Sequence, residues 1–188
     1  MKIRLKDVRI SFPALGRPEA FGDGEPAYQA KFIIEPKGEH AKLIKEAMKA
    51  VAEEKWADKA TSVLKMLADD KKLAYVEGEY RSKKTGDVYD GFQGMHYLSA
   101  RNSKMRPTIV DRFGKHVNDP SEIDRLIYSG CRVHAMVDIW AQDNKWGRRV
   151  NATLLGVMFA GEGDSFGGSS VADASDFADL AEDAADLV

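Results

Sequence analysis

Cysteine is nearly absent from this 188-residue chain: Cys131 stands alone, so no disulfide can form within it, which suits a reducing cytoplasm. No apolar run approaches the roughly 20 residues that a membrane-crossing helix needs. Met1 to Ile10 alternates charged and apolar residues and has no signal-peptide core. The four histidines, His40, His96, His116 and His134, are scattered, and none pairs with Cys131 at metal-ligand spacing. Gly114-Lys115 lacks the spacing and the following Ser or Thr of a phosphate-binding loop. The paired acids Glu53-Glu54, Asp69-Asp70 and Glu182-Asp183 are sequence neighbours, which on a helix do not face one site. These absences point to no enzyme, no cofactor and no metal. The enzymatic alternative is a magnesium-dependent nuclease assembled in space from Asp87, Asp90, Asp111 and Asp138.

Basic residues are missing from one place in particular. From Gly161 to Val188 there are eight acids and no Lys or Arg. The whole chain has 28 basic and 30 acidic residues, so residues 1–160 carry 28 against 22 and are net +6. A mildly basic body with an acidic extension fits a protein that handles nucleic acid, the extension competing for the polyanion site or recruiting a partner. A simple solubility tail is the other reading. Gly167-Gly168-Ser169-Ser170 marks a hinge, and beyond it Phe177, Leu180, Leu187 and Val188 fall at helical spacing among acids. Such a segment, disordered alone, can fold onto a basic partner pocket.

The body reads as strands around one helical insert. Ile3 and Leu5 alternate with charge, then Val8 and Ile10 resume on the other parity, which predicts a bulge near Asp7. Phe12-Pro13 is expected to end this strand, with a loop from Gly16 to Pro26 before a second strand over 28–35. Two apolar stripes, Ile44 to Ala52 and Trp56 to Leu67, predict helix, and the Lys and Glu residues between them read as its wet face. Short extended pieces follow at 73–77, 95–101 and 106–110, then a helical turn near Asp119. Residues 131–159 form the clearest hairpin, with Cys131, Val133, Ala135, Val137 and Ile139 on one face and Arg132, His134, Met136, Asp138 and Trp140 on the other. Several strands, one helical insert and long loops suggest a small Greek-key barrel rather than a parallel sheet.

Basic and aromatic residues interleave on these strands. Tyr80, Arg81, Lys83, Lys84 and Tyr89 share one hairpin region. Tyr97 and Arg101 share a strand face, with Lys104 and Arg106 just beyond. Trp140, Trp146, Arg148 and Arg149 cluster about the last hairpin. Binding a single strand without reading its sequence needs both ingredients: cations follow the phosphates, and rings stack on unpaired bases. Rings in strands also serve as core, but the polar same-face neighbours of Tyr97 and Trp140 favour the functional reading.

The chain resembles the phage-encoded single-stranded DNA-binding proteins of the group that includes an Enterobacter phage protein. The resemblance covers residues 1–168. It rests on Val8-Arg9-Ile10-Ser11-Phe12-Pro13, Tyr28-Gln29-Ala30-Lys31-Phe32, Gly91-Phe92-Gln93-Gly94, Ser99-Ala100-Arg101-Asn102 and Arg106-Pro107. Its most specific stretch runs from Tyr128-Ser129-Gly130-Cys131 through Trp140, Asn144-Lys145, Gly147 and Asn151 to Leu154-Leu155-Gly156-Val157 and Gly161-Glu162. The resemblance implies an OB-fold, a mobile acidic C-terminus, and coating of single strands during phage replication or recombination in the host cytoplasm. It allows a homodimer. Related replication proteins often end in an aromatic residue, whereas this chain ends Asp186-Leu187-Val188. The resulting expectation is a mainly β protein: an OB-fold-like Greek-key barrel with a helical insert over 1–160, and a flexible acidic tail over 161–188. Single-stranded DNA is the expected partner, with replication or recombination proteins reached through the tail. An annealing or scaffold protein acting through protein contacts is the alternative.

Overall fold

The computed structural model describes residues 1–20 and 24–167. Seven strands and three helices follow in the order β1 (Lys2–Glu19), β2 (Ala27–Ile34), α1 (Glu39–Trp56), α2 (Ala60–Asp69), β3 (Tyr75–Val76), β4 (His96–Asn102), β5 (Thr108–Val110), α3 (Pro120–Leu126), β6 (Arg132–Asn144) and β7 (Gly147–Gly161). Antiparallel pairing runs β4-β2-β1-β6-β7, and a parallel contact between Arg101 and Thr153 joins β7 back to β4. The result is a closed five-stranded barrel with one inserted helical segment, as expected of an OB-fold. Strands β3 and β5 extend it at either side.

The parity switch in β1 is a bulge: Asp7 has φ 53° and the register with β6 slips between Leu5 and Val8. Both apolar pairs, Ile3/Leu5 and Val8/Ile10, therefore point inward and are buried. The imidazole Nδ1 of His134 accepts the Asp7 N–H at 2.9 Å, and Arg132 donates to the Asp7 carboxylate at 2.6 Å. His134 is thus a cap for the bulge.

Phe12-Pro13 does not end the strand. Phe12 takes a positive φ of 49°, a second register shift falls between Ser11 and Ala14, and β1 continues to Glu19 opposite Ala27. Proline is tolerated there because it sits in the bulge, where no ladder donor is required. The connecting loop is correspondingly shorter than the glycines and prolines suggested.

Both helical stripes face the barrel, with Ile44, Ala52 and Leu67 fully buried. The helix breaks where Ala57 leaves the helical region at φ 48°. Trp56, just before the break, is buried and donates its indole N–H to Asp143 Oδ2 at 2.8 Å, tying the insert to the tip of the β6–β7 hairpin. Lys42–Glu46 and Lys49–Glu53 pair on the exposed side, as expected of a solvated face. Asp119 caps α3 by accepting the Glu122 N–H at 3.0 Å.

Strand β6 alternates as anticipated, with Val133, Ala135, Val137 and Ile139 buried. Cys131 is also buried, and desolvation pushes its thiol up to about 11, which makes it unreactive. At the barrel seam the buried Asn102 donates to Leu154 O at 3.1 Å and accepts the N–H groups of Lys104 and Met105.

Residues 162–167 remain on the barrel after β7 ends. Tyr128 donates its hydroxyl hydrogen to Gly163 O at 3.0 Å, Arg9 donates to Asp164 O at 2.8 Å, and Phe166 N–H to Ser129 O at 2.9 Å. Two glycines make room for this strap. A Cβ on Gly130, which has φ +107°, would lie 2.0 Å from Asp164 O, and one on Gly91 would lie 2.3 Å from the Phe166 ring. Both belong to the motifs that carry the family resemblance. The anticipated tail contacts Phe177, Leu180, Leu187 and Val188 lie outside the described residues.

Candidate nucleic-acid interface

The outer face of β2 and β4 forms the floor of the site. Register places Lys31 opposite Ser99, Gln29 opposite Arg101 and Ile33 opposite Tyr97, while Ala30, Phe32, Leu98 and Ala100 face the core. The bulge at Phe12 swings that ring onto the same outer face, where Ser129 Oγ accepts the Phe12 N–H at 3.1 Å.

Above this floor lies a nest of five rings. The segment between β3 and β4 folds back on itself, with Arg81 bridging Val88 and the Tyr89 N–H donating to Tyr80 O at 3.0 Å. Tyr80 and Tyr89 consequently stack, with centroids 5.0 Å apart and planes 24° from parallel. Phe12 meets both edge-on at 5.6 and 5.0 Å. Tyr97 meets Tyr80 at 5.1 Å and Phe92 at 5.9 Å, and Phe92 is fully buried beneath. Burial raises the phenol pKa values of Tyr80 and Tyr97, so both stay neutral donors. Glu79 steadies the segment by accepting the Gly94 N–H at 2.7 Å and pairing with Arg81.

Lys31 is the cation of the nest. Its ammonium lies 4.4 Å from the Tyr80 centroid and 5.3 Å from that of Tyr97, and donates to Ser99 Oγ at 2.9 Å. A cavity of about 170 Å³ opens beside it, lined by Phe12, Gln29, Lys31, Tyr80, Ser99 and Arg101. Arg101 also lines an adjoining open groove of about 730 Å³, walled by Lys104, Met105, Trp140, Asn151 and Thr153. Arg101 lines both spaces, which together make one path across β2, β4, β7 and β6. Trp140 is 41% exposed in this path, its indole N–H donating to Thr153 Oγ1 at 3.0 Å.

The sequence-selected residues separate by geometry. Tyr80, Tyr89 and Tyr97 share the nest, with exposed Arg81, Lys83 and Lys84 on its loop. Arg101, Lys104 and Trp140 share the groove. Trp146 is 79% exposed at the hairpin tip, with Lys145 5.1 Å from its ring, and exposed Arg149 follows on β7. Arg148 points elsewhere, to Asp143 Oδ2 at 3.1 Å beside the Trp56 indole. Arg106 donates to Gly16 O and Asn118 O, both at 2.9 Å, and braces β1 against the loop before α3. Sequence reasoning missed Lys31, Phe12, Gln29 and Met105 as lining residues. The alternation of 28–32 puts Gln29 off the core face, but only strand register brings it and Lys31 to Arg101 and Tyr80.

A further groove of about 520 Å³ between β5, β6 and β7 is lined by Met136, Leu155, Val157 and Met158 with Arg4, Lys6 and His134, and among the described residues no Phe, Tyr or Trp lines it. Among the described residues, no three His, Cys, Asp or Glu side chains gather where a metal ion could be held, so Asp87, Asp90, Asp111 and Asp138 do not form a centre.

Comparison with known proteins agrees with this geometry. The profile of a family described as Enterobacter phage Enc34, ssDNA-binding protein, matches residues 1–188. Protein p50 of Acyrthosiphon pisum secondary endosymbiont phage 1 is 36% identical over 185 residues, 96% of this chain and 94% of that one. The single-stranded DNA-binding protein from bacteriophage Enc34, solved in complex with ssDNA, superposes with a TM-score of 0.72 at 29% identity, over 88% of this chain and 89% of that chain. The fold is shared more distantly with gp2.5, a single-stranded DNA binding protein encoded by bacteriophage T7, with a TM-score of 0.54 at 16% identity over 98% and 96% of the two chains. With a barrel, a basic aromatic path and a family profile that spans its whole length, this chain belongs to the Enterobacter phage Enc34 ssDNA-binding protein family.

Proposed function

We propose that this protein is a non-enzymatic binder of single-stranded DNA, indifferent to base sequence, that coats exposed strands during phage replication or recombination inside the infected host. The observation that carries the reading is the continuous path from the Tyr80–Tyr97 nest through Arg101 to Trp140, which alternates ring faces and cations across one side of the barrel. Bases stacked on rings contribute about 1–3 kcal/mol each and tolerate any base. Duplex DNA keeps its bases paired and leaves the rings unused. Along this path Tyr80, Tyr89, Tyr97, Trp140 and Trp146 contact bases, and Arg81, Lys83, Lys84, Arg101, Lys104 and Arg149 contact phosphates.

The acidic C-terminal residues regulate the same path. The Gly167 N–H donates to Asp90 at 3.3 Å beside Tyr89, so the chain lies at the edge of the nest at Gly167, with 21 residues of sequence still to follow. Their acids then compete with DNA for its cations and, when displaced, are free for a replication or recombination partner or a second copy of the chain.

The test is a titration of single-stranded and duplex oligonucleotides at several salt concentrations, with the full chain and a chain ending at Gly167. Single strands bind in preference, and log K falls with log salt at about −0.7 per phosphate neutralised. Truncation tightens binding. Affinity independent of salt, or preference for duplex, overturns the function; unchanged or weaker binding by the truncated chain overturns the competition. Light scattering of both chains, with and without DNA, decides the homodimer.

A further inference from the structure

Lys31 is an unusual cation for a surface that binds a polyanion. Arg81, Lys83, Lys84 and Lys104 stand in solvent, whereas Lys31 is largely withdrawn from it, packed between the rings of Tyr80 and Tyr97. Among the described residues it forms no ion pair, and its one hydrogen bond is to a neutral hydroxyl, Ser99 Oγ, at 2.9 Å. An ammonium can donate three hydrogen bonds. Charge withdrawn from water without an opposite charge is costly, and ring faces offset that cost only in part. The fold nevertheless places Lys31 beside a cavity of about 170 Å³ that Arg101 and Gln29 also line; each spends one N–H on a backbone carbonyl, Arg101 on Glu25 O and Gln29 on Glu19 O, both at 3.1 Å, and keeps further donors.

We propose that Lys31 is a built seat for one backbone phosphate of the bound strand, with Arg101 and Gln29 completing the seat and Tyr80 and Phe12 holding the adjoining sugar or base. The proposal rests on the single-strand-binding reading above and deepens it. The anion supplies the counter-charge that the protein leaves out, and the seat fixes the strand's register on the barrel while the flanking rings stay tolerant of base identity. A structural lysine covering the rings with its methylene stem is the competing account, and it requires no DNA.

The two accounts part on proton linkage. Burial, with Lys83 nearby adding repulsion, lowers the Lys31 pKa to about 8 in the free protein. The groups facing it are Tyr97, Ser99 and Arg101 from β4, Ser11 and Phe12 from β1, Gln29 and Ile33 from β2 itself, and Tyr80 and Lys83 from the segment before β4. The burial-raised phenols of Tyr80 and Tyr97 stay neutral through this range. A phosphate against the ammonium favours the charged form, so the bound complex holds the proton to higher pH than the free protein does. Binding above pH 8 therefore takes up a proton, and affinity falls as pH rises, by up to about tenfold per pH unit.

The experiment measures binding of an oligo-dA strand between pH 7 and 9 by fluorescence anisotropy, with calorimetry at pH 8.5 in two buffers of different ionisation heat. Full-length protein is compared with Lys31→Arg and Lys31→Met. The wild type takes up about 0.8 proton per chain at pH 8.5. Lys31→Arg still binds but loses that uptake, and Lys31→Met binds several-fold more weakly at pH 7. The Arg variant separates the Lys31 proton from any other proton taken up on binding. Wild type that binds without uptake, uptake that persists in Lys31→Arg, or full affinity at pH 7 in Lys31→Met overturns the phosphate seat while leaving single-strand binding intact. A wild type that binds no single strand at pH 7 overturns the functional reading itself.

Discussion

The nest around Lys31 and the β6–β7 hairpin hold the same kinds of side chain under opposite conditions. In the nest, Phe12, Tyr80, Tyr89, Phe92 and Tyr97 spend most of their faces and edges on one another, and Phe92 is fully buried. On the hairpin, Trp140 and Trp146 stand apart, 41% and 79% exposed. Mutual packing gives the nest shape and a preformed cation site, and leaves Tyr80, Tyr89 and Tyr97 only partly exposed for a base to rest on. The isolated indoles offer open faces with little rigidity of their own. On the proposed path, a strand running from one to the other meets first a shaped seat and then adaptable platforms. The contrast teaches that an aromatic residue in a binding surface contributes either by positioning or by stacking, according to how much of its surface its neighbours already cover.

The sharpest way to break this contrast is Phe92→Ala. Removing a fully buried ring from the base of the nest costs about 3–5 kcal/mol of folding stability, with loss of affinity secondary to loosened packing. Chemical denaturation checks it, and a change below about 1 kcal/mol would mean that the nest is not a packed unit. Next comes the pair Tyr97→Ala and Trp140→Ala. Each loses about 1–3 kcal/mol of single-strand affinity. Trp140→Ala keeps its stability within about 0.5 kcal/mol, because its ring is exposed and its partner Thr153 can bond to water. Tyr97→Ala loses stability as well, because its ring packs against Tyr80 and Phe92. Equal shifts in Tm for the two would erase the distinction.

A smaller effect follows from Lys31. Its pKa falls from the usual 10.5 to about 8 on folding, so between those values the unfolded chain binds more protons than the folded one. Stability therefore rises with pH across that window, and the buried charge is a cost throughout the range below it. Lys31→Met removes the charge and keeps the stem, so free protein gains Tm at pH 7 and loses the alkaline rise while binding DNA less well. A seat kept ready for an anion carries such a cost; a Lys31→Met protein less stable than wild type at pH 7 would show that the ammonium stabilises the nest.

How much of this was legible in the chain depends on the distance over which each signal acts. The bulge at Asp7 showed as a change of parity within ten residues, and Trp140 as one member of a strict alternation on β6. Both are local consequences of side chains pointing to opposite faces of a strand. Phe12 misled because Pro13 is a strong local stop signal, and only a bulge at positive φ lets the strand pass through it. Lys31 and Tyr80 meet through the pairing of β2 with β4 and the folding of the segment between β3 and β4, and nothing in either stretch names the other. Arg148 and Arg149 look interchangeable in sequence. They lie on opposite faces of β7, and the carboxylate that claims Arg148 is also held by Trp56 from the helical insert. Positions within one element were readable; which elements face each other across the site was not, since that is decided by barrel closure.

Asp143 offers the finest test of the hairpin side of the comparison. Its carboxylate accepts the Trp56 indole N–H at 2.8 Å and pairs with Arg148 at 3.1 Å, and these two contacts, the indole first, lower its pKa below the ordinary aspartate value of 3.8. A carboxylate whose folded pKa is depressed adds stability that is fully present above the unfolded value and is lost as pH falls through the folded one. The effect is confined to pH below about 4 and is small, because the group is exposed to solvent. Asp143→Asn leaves an amide oxygen that still accepts from Trp56 but cannot ion-pair with Arg148. The variant's Tm at pH 7 drops slightly, and its difference from wild type closes as pH falls toward 3. The nest, held by ring contacts that carry no charge, shows no such convergence in Phe92→Ala. If the Asp143→Asn difference stayed constant from pH 7 to 3, the tip would be held by the indole hydrogen bond alone, and the electrostatic half of the contrast would fall away.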